Sequence, residues 1–307
     1  TPVAVALGPD SAAEGATVAL VGSANVFGAV DYRWTLPNGE AMKLAPELLK
    51  RDIAVIDLSA DFRLRDTAVH EQHYKMTHLS PELLPRAVYG LPELYREEIC
   101  ASRLVANPGC YPTSVLLGLV PLLRAGLIAP HSIIIDSKSG VSGAGRTALK
   151  TPYLYAEANE DVSAYNVGSH RHTPEIEQQL RDAGAGEAAV IFTPHLVPMT
   201  RGIFSTCYAM PAGTASTADL LEAYTEAYAG AEFVHVLDAE TLPHTKWCQG
   251  SNHAFVTARV DARTHCAVIL SAIDNLGKGM AGQAIQNMNL LCGLPESLGL
   301  DRPANYP

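Results

Sequence analysis

Apolar residues occur in short runs along the first third of the chain, and the run lengths predict strands separated by a helix. Residues 3–7, 17–21 and 53–58 are apolar runs of strand length, and residues 40–50 have helical spacing. An apolar run of about four to eight residues bounded by turn residues is typical of a buried strand. The order strand–helix–strand predicts a parallel α/β layer.

The pattern changes after Asn107, because strand-like segments then follow one another with few helices between them. Helical spacing is present at 113–124 and 217–228, and a third helical segment, 277–291, has small residues on one side. The strand-like segments are 132–136, 189–193, 204–210, 254–260 and 267–273. Strands followed by strands predict a mostly antiparallel sheet covered on one face.

The composition narrows the class of protein. The chain has 307 residues, of which 48% are apolar and 18% are charged. The length predicts two domains at about 150 residues each, and the composition excludes a disordered chain. The net charge of −10 gives no sign of a nucleic-acid footprint, and the apolar runs are far too short to span a membrane. The low charged fraction predicts buried surface that includes a subunit interface.

The six cysteines form no C-x-x-C pair, which argues against a zinc ribbon or a thioredoxin-like motif. The first residues lack the basic segment and long apolar stretch of a signal peptide. The chain does not begin with Met, so the sequence leaves open whether a leader sequence precedes it. The expected compartment is reducing and cytoplasmic.

One cysteine, Cys110, lies in the segment Asn-Pro-Gly-Cys-Tyr-Pro-Thr at 107–113. Pro108 and Gly109 predict a tight turn, and Pro112 suits the first turn of the helix that follows. Cys110 is therefore expected at a helix N-terminus, where the helix dipole and N–H groups favour the thiolate and can hold an oxyanion. This pattern predicts a nucleophile, with a buried cysteine at a turn as the alternative.

A thiolate nucleophile needs a partner that transfers protons, and the segment His-Arg-His-Thr-Pro-Glu at 170–175 offers one. His170 and His172 supply imidazoles, and Glu175 supplies a carboxylate that could orient one of them. Spacing does not distinguish the two histidines. A solvated polar loop is the alternative, and no third ligand at helical spacing supports a metal site.

A loop rich in glycine and serine follows the predicted strand 132–136 and ends in Arg146. Residues 139–145 would let the main chain approach a planar or anionic ligand closely, although a flexible connection has the same composition. Arg146 could hold a carboxylate or phosphate through two hydrogen bonds. Arg63 and Arg201 are further candidates for anion contacts, with surface arginines as the alternative.

Taken together, these segments resemble the N-acetyl-gamma-glutamyl-phosphate reductase family, which is related to aspartate-semialdehyde dehydrogenase. One such motif could arise by chance, but the matches follow the family order over most of the chain. The matching stretches are 55–64, 89–94, 107–113, 139–146, 170–176, 192–198, 250–252 and 274–279.

The resemblance implies NADPH-dependent reduction of N-acetyl-glutamyl 5-phosphate to N-acetyl-glutamate 5-semialdehyde, with release of phosphate, in arginine biosynthesis. It implies that Cys110 attacks the acyl phosphate to form a thioester and that His170 or His172 transfers protons. The substrate-binding residues are then expected to be Arg63, Arg146, Glu175 and Arg201. The cofactor-binding residues are expected to be Gly22, Asn25, Gly28, Ser139, Gly140, Ser142, Gly143 and Asn275.

The resemblance also implies the fold class, which is α/β. A Rossmann-like parallel-sheet nucleotide domain is expected at 1–109 and an α+β catalytic and dimerisation domain with a mostly antiparallel sheet at 110–276. A C-terminal helix within 277–307 is expected to return to the nucleotide domain. The strand-rich middle is expected to form the contact of a homodimer or homotetramer, with no nucleic-acid or membrane partner.

The resemblance is weakest near the start of the chain. The glycine-rich dinucleotide loop of the family is represented only by 22–28, where Gly22 and Gly28 fall on family positions and Asn25 replaces the central glycine. Asparagine tolerates the left-handed backbone region, so this replacement is acceptable. However, only seven residues separate Gly28 from Leu36, too few for the family's first helix and the strands after it. The nucleotide domain is therefore predicted to be truncated or remodelled at its N-terminus.

Three alternatives to this function stay open from the residues. The chain could be a related reductase that acts on an aspartyl or amino-adipyl phosphate. Cys110 and a histidine could instead serve a cysteine hydrolase or acyltransferase that needs no nucleotide. A chain that does not bind the cofactor could act as a non-catalytic partner.

Overall fold

The elements of the first third form a layer of helices and parallel strands. A computed structural model describes residues 3–6, 39–144 and 154–305, and the chain divides into two units. The first unit holds the described residues up to Pro108 together with Gln283–Gly299, and the second holds most of the remainder. The strand predicted at 17–21 and the segment 22–28 lie outside the described residues.

The first unit is built on a sheet of four parallel strands, counted over the described part of the chain. Its elements are β1 (Val3–Ala6), α1 (Glu40–Lys50), β2 (Ala54–Asp57), α2 (Thr67–Tyr74), β3 (Ala87–Tyr89), α3 (Pro92–Ala101) and β4 (Leu104–Ala106). The strand order is β1-β2-β4-β3, and each neighbouring pair is parallel. The parallel layer predicted from the strand–helix–strand pattern is therefore present.

Helix α1 begins where Asp61 satisfies its first amides. Both carboxylate oxygens of Asp61 accept the N–H of Gly39, at 3.0 and 2.9 Å, and one also accepts the N–H of Met42 at 3.3 Å. The first N–H groups of a helix have no acceptor within the helix, so this buried carboxylate supplies one from the loop after β2. The apolar face of α1 shares a core cluster with Val55 of that strand.

The second unit is built on a mixed sheet of seven strands among the residues described. Its strands are β5 (Ile133–Ser139), β6 (Ser163–Ala164), β7 (Val190–Leu196), β8 (Ile203–Ala209), β9 (Val234–Val236), β10 (Ala254–Asp261) and β11 (Cys266–Ile273). Its helices are α4 (Cys110–Arg124), α5 (Tyr155–Ala158), α6 (Thr173–Leu180) and α7 (Thr217–Ala227). The strand order is β6-β7-β5-β8-β11-β10-β9, and four of the six neighbouring pairs are antiparallel, as predicted.

One face of the seven-stranded sheet is covered by helices, with α4 lying across β8, β10 and β11. A row of buried hydroxyls joins α4 to this face. Ser114 donates to Ser205 at 2.9 Å, and Ser205 is hydrogen-bonded to Ser137 of the neighbouring strand at 2.7 Å. Small side chains let the helix approach closely, and their hydroxyls satisfy one another away from water.

The last helix of the chain, α8 (Gly282–Leu291), belongs to the first unit from Gln283 onward. The side-chain amide of Asn287 donates to the carbonyl oxygen of Gly90 at 2.8 Å and to the Asn107 Oδ1 at 3.1 Å. Gly90 follows β3 and Asn107 follows β4. A single amide therefore connects α8 with the carboxyl ends of two parallel strands.

Candidate active site

Cys110 is the first residue of helix α4, at the helix N-terminus where the sequence predicts it. Gly109 before it is extended, with φ −69° and ψ 154°. The N–H and the hydroxyl of Thr113 both donate to the Gly109 carbonyl oxygen, at 2.9 and 3.0 Å, which closes the first turn. The positive end of the helix dipole favours a negative charge at this thiol, and amides of the first turn face the same end.

The residue before the nucleophile is held from two sides by the segment that precedes and begins α6. A Cβ built on Gly109 would lie 2.6 Å from His172 Nε2 and 2.8 Å from its Cε1, so only glycine fits against this ring. On the other side, the Glu175 Oε1 accepts the Gly109 N–H at 2.8 Å, and Glu175 is fully buried. The structure therefore brings His172 and Glu175 next to Cys110.

His170 lies in an aromatic pocket. Its ring centroid is 5.6 Å from Tyr111, 5.6 Å from Tyr165 and 5.2 Å from Phe192. Its Nδ1 accepts the main-chain N–H of His172 at 3.1 Å, and burial lowers the pKa of His170 to about 4. His170 is therefore a neutral acceptor near pH 7.

The loop that follows β5 packs closely against the loop between β7 and β8. The N–H of Gly140 donates to the carbonyl oxygen of Gly202 at 2.9 Å, and the N–H of Ser142 donates to that of Thr200 at 3.1 Å. A Cβ on Gly140 would lie 2.8 Å from the main-chain nitrogen of Arg201, so the approach requires glycine. Gly140, Ser142 and Gly143 lie in this loop and Ser139 is the last residue of β5, so these four residues, all predicted to contact the cofactor, lie close together in the chain.

Asn275 joins the same two loops. Its Oδ1 accepts the Gly202 N–H at 2.7 Å, and its Nδ2 donates to the Ser142 hydroxyl at 3.0 Å. The donor on one side and the acceptor on the other fix the orientation of the amide. Asn275, predicted from the resemblance as a cofactor contact, thus lies with the predicted loop residues and orders them.

The turn after β11 reaches Cys110. A Cβ on Gly279 would lie 2.9 Å from the Cys110 Cβ, so this turn packs directly on the nucleophile. The Gly279 N–H donates to the main-chain oxygen of Asp274 at 2.9 Å. The side chain of Asp274 lies 3.6 Å from the guanidinium of Arg201, which is 40% exposed. Arg201 is thereby connected to the Cys110 region through this turn.

Arg63, the other arginine that the structure describes among the predicted anion contacts, is a buried residue of the first unit. Its Nε donates to the Asn107 carbonyl oxygen at 2.8 Å, and its Nη2 donates to the Leu58 carbonyl oxygen at 2.9 Å. These bonds hold main-chain groups after β2 and β4. Arg146, Gly22, Asn25 and Gly28 lie outside the described residues.

Two polar residues of interest are missing from the sequence-based set, Asp274 and Gln283. Gln283 is fully buried on α8, and neither its amide oxygen nor its amide nitrogen has a hydrogen-bond partner in the part of the chain that the structure describes. A buried amide without partners costs free energy and points to a bound polar group. A nicotinamide dinucleotide, with its carboxamide and hydroxyls, supplies such groups. No pattern in the sequence distinguishes Gln283 from the other amides of α8.

Comparison with known proteins defines the class. Residues 18–102 match the family described as the semialdehyde dehydrogenase NAD binding domain, and residues 110–275 match the semialdehyde dehydrogenase dimerisation domain. The protein is therefore an oxidoreductase of the semialdehyde dehydrogenase class. The predicted enzyme class and the predicted nicotinamide dinucleotide cofactor are confirmed at this level.

Curated relatives narrow the class to a family. The N-acetyl-gamma-glutamyl-phosphate reductase of Moorella thermoacetica is 53% identical over 272 residues, which cover 89% of this chain and 78% of the relative. The enzyme of the same name from Pelotomaculum thermopropionicum is 55% identical over 272 residues with the same coverage. The chain belongs to the N-acetyl-gamma-glutamyl-phosphate reductase family, and the resemblance carried by its motifs is confirmed.

Solved structures agree on the fold. Aspartate semialdehyde dehydrogenase II from Vibrio cholerae matches with a TM-score of 0.69 and 17% identity, covering 95% of this chain and 98% of that one. Aspartate semialdehyde dehydrogenase with NADP from Candida albicans matches with a TM-score of 0.59 and 15% identity, covering 85% and 76%. At these identities the likeness concerns the fold alone, and it confirms the predicted fold class.

Proposed function

We propose that the protein reduces N-acetyl-glutamyl 5-phosphate to N-acetyl-glutamate 5-semialdehyde with NADPH and releases phosphate. The observation that carries this proposal is the setting of Cys110, a half-buried thiol on a helix N-terminus beside His172. The name shared by the curated relatives supports the choice of substrate. The same name disfavours an aspartyl or amino-adipyl phosphate and a non-catalytic role.

The chemistry assigned to Cys110 is covalent. Its thiolate attacks the acyl carbon, the carbonyl oxygen becomes an oxyanion near the first-turn amides of α4, and phosphate leaves with the bonding electron pair. The acyl group remains on the sulfur as a thioester. Bound NADPH supplies the hydride for reduction of the thioester carbon. The sulfur then leaves that carbon as thiolate, and the aldehyde is released.

His172 is the proton carrier in this proposal. Its ring packs against Gly109, one residue from the nucleophile, so it can accept the Cys110 proton and later give and take the proton of the reduced adduct. His170 has its Nδ1 engaged by the His172 N–H. We therefore assign His170 to positioning of the loop and Glu175 to holding the Gly109 amide.

The substrate is an anion, and Arg201 is the arginine that best suits it. Its guanidinium is partly exposed, and its hydrogen-bond donors form the fork that carboxylates and phosphates accept. Arg63 and Arg146 remain predictions for a second anion contact.

The residues proposed to hold the cofactor around the loop after β5 and the turn after β11 are Ser139, Gly140, Ser142, Gly143 and Asn275. On α8 the proposed residue is Gln283, and the resemblance adds Gly22, Asn25 and Gly28. The observation that supports a bound dinucleotide is the buried amide of Gln283, which has no hydrogen-bond partner among the described residues. The choice of NADPH over NADH rests on the resemblance.

We propose a homodimer formed through the face of the seven-stranded sheet that lies opposite α4. That face carries exposed apolar side chains, and the matched dimerisation domain spans these strands. We also propose a cytoplasmic enzyme, since all six cysteines are free. No helix among the described residues has the length and apolar character needed to cross a membrane.

The proposed reaction is tested in reverse, by following NADPH formation from N-acetyl-glutamate 5-semialdehyde, NADP and inorganic phosphate. Cys110→Ser is expected to lower kcat by at least about a thousandfold, because the hydroxyl is a far weaker nucleophile than the thiolate. Cys292→Ser is the matched control. This cysteine lies at the end of α8, and its replacement is expected to leave kcat unchanged. Full activity of Cys110→Ser, or turnover that does not require the nucleotide, would contradict the proposal.

A further inference from the structure

Asp274 is a fully buried carboxylate directly after β11. Its Oδ1 accepts the N–H groups of Leu276 and Gly277 at 2.8 and 2.9 Å, and its Oδ2 accepts the N–H of Gly250 at 2.7 Å. Hydrogen bonds from three main-chain amides hold both carboxylate oxygens in place. The direction in which the carboxylate points is therefore set by the main chain.

The same carboxylate faces Arg201. The Arg201 Nη1 lies 3.6 Å from the Asp274 Oδ2, a distance that corresponds to attraction between charges and exceeds a direct hydrogen bond. The arginine is 40% exposed, and the structure records no hydrogen bond from its side chain to a described residue. Its remaining N–H donors are available to a ligand.

Asp274 also connects this arginine with the nucleophile. Its main-chain oxygen accepts the Gly279 N–H at 2.9 Å, and Gly279 packs against the Cys110 Cβ. Asp274 therefore contacts the guanidinium through its side chain and, through its main chain, the turn that packs on the nucleophile. An arginine side chain loses rotamer freedom when it is fixed, so a carboxylate that fixes it beforehand favours binding.

We propose that Asp274 is a positioning residue that holds Arg201. In this position the N–H donors of the Arg201 guanidinium bind an anionic group of the substrate, namely its carboxylate. This inference rests on the proposed function for the identity of the substrate. It does not depend on turnover, because a bound carboxylate can be measured directly. The competing role for Asp274 is a purely structural one, as the residue that joins the turn after β11 to the main chain at Gly250.

A double-mutant cycle separates these two roles. Arg201→Ala, Asp274→Asn and the double variant are compared by calorimetric titration with N-acetylglutamate and by KM and kcat in the reverse reaction. Each single change is expected to raise Kd and KM about tenfold with a smaller change in kcat. The double variant is expected to bind about as weakly as Arg201→Ala, because Asp274 acts through the arginine. Effects that multiply in the double variant would overturn the proposal.

Asp274→Asn could fail to fold, because a side-chain amide cannot accept all three N–H groups. A second measurement therefore uses only Arg201→Ala. Ethylguanidinium added to Arg201→Ala is expected to restore N-acetylglutamate binding in a saturable way, because the buried carboxylate attracts the free cation. Absence of restoration would count against Asp274 as the holder of the guanidinium.

The control for the cycle is Glu240→Gln, which removes the acidic partner of the exposed Arg259, 2.7 Å away. It is expected to leave Kd and KM unchanged. If the wild-type protein does not turn over but the effects of the two changes on Kd are coupled, the proposed function is contradicted and the role of Asp274 is supported. If the wild-type protein turns over and the two effects on Kd are additive, the proposed function is supported and the role of Asp274 is contradicted.

Discussion

The ring nitrogens of His170 and His172 have different surroundings, although the two residues are only one position apart. Burial keeps His170 neutral, with a pKa of about 4, and its Nδ1 already accepts a main-chain N–H. His172 presents its ring edge to Gly109, next to the nucleophile. A proton carrier must reach the reacting group first, and its pKa matters only after that. The geometry therefore favours His172.

This difference is tested by two matched variants. His172→Asn is expected to lower kcat by about a hundredfold to ten-thousandfold, because general acid–base catalysis is lost. His170→Asn is expected to lower kcat less than about tenfold, because the amide oxygen can take the place of Nδ1 as acceptor for the His172 N–H. Steady-state kinetics over a pH series measure both. An equal loss in the two variants, or an unchanged pH profile in His172→Asn, would contradict the assignment.

Some residues of the site could be predicted from the sequence and others could not. The position of Cys110 could be predicted because proline and glycine define the turn locally. The choice between His170 and His172 could not, because it depends on contacts with Tyr111, Phe192 and Gly109 that only the fold brings together. The partners of Asp274 are the main-chain amides of Leu276 and Gly277 nearby and of Gly250 in a distant segment, and an amide carries no residue-specific signal.

Among the elements, helix α1 depends on a cap from outside its own sequence. Asp61→Ala leaves the N–H groups of Gly39 and Met42 without their acceptor, and the free energy of unfolding is expected to fall by about 2 kcal/mol. Asp66→Ala is the comparison, since Asp66 caps α2 at an exposed position through Ala68 and Val69. Urea denaturation measures both, and a smaller loss for Asp61→Ala than for Asp66→Ala would contradict the role of the buried cap.

The elements that could be predicted are those with a regular apolar pattern. Helix α1 and strands β8, β10 and β11 lie close to their predicted ranges because each buries one face or both. Helix α2 has a single buried residue, His70, so it lacks the apolar stripe that indicates a helix. Helix α3 contains non-helical backbone at Tyr95, which interrupts the spacing. Strands β6 and β9, of two and three residues, are too short to form a pattern.

For the whole molecule, the face of the seven-stranded sheet opposite α4 is the main feature left to explain, since no helix among the described residues covers it. Ile134, Ile191 and Tyr208 lie on three adjacent strands of this face and are 42%, 61% and 37% exposed. Apolar side chains grouped in this way are typical of a protein–protein interface. A second copy of the chain is the proposed partner, because the matched family model describes a dimerisation domain over these residues.

Ile191→Glu tests this interface, because a carboxylate buried against the partner would lack a compensating charge. The dissociation constant of the dimer is expected to rise at least about tenfold, measured by sedimentation over a concentration series. Leu298→Glu is the control, since Leu298 is 53% exposed in the first unit and is expected to leave the dimer intact. An undisturbed dimer in Ile191→Glu, or dissociation in Leu298→Glu, would contradict the assignment. Cys110, His172 and Arg201 all belong to one chain, so the dissociated variant is expected to bind N-acetylglutamate within about twofold of the wild type.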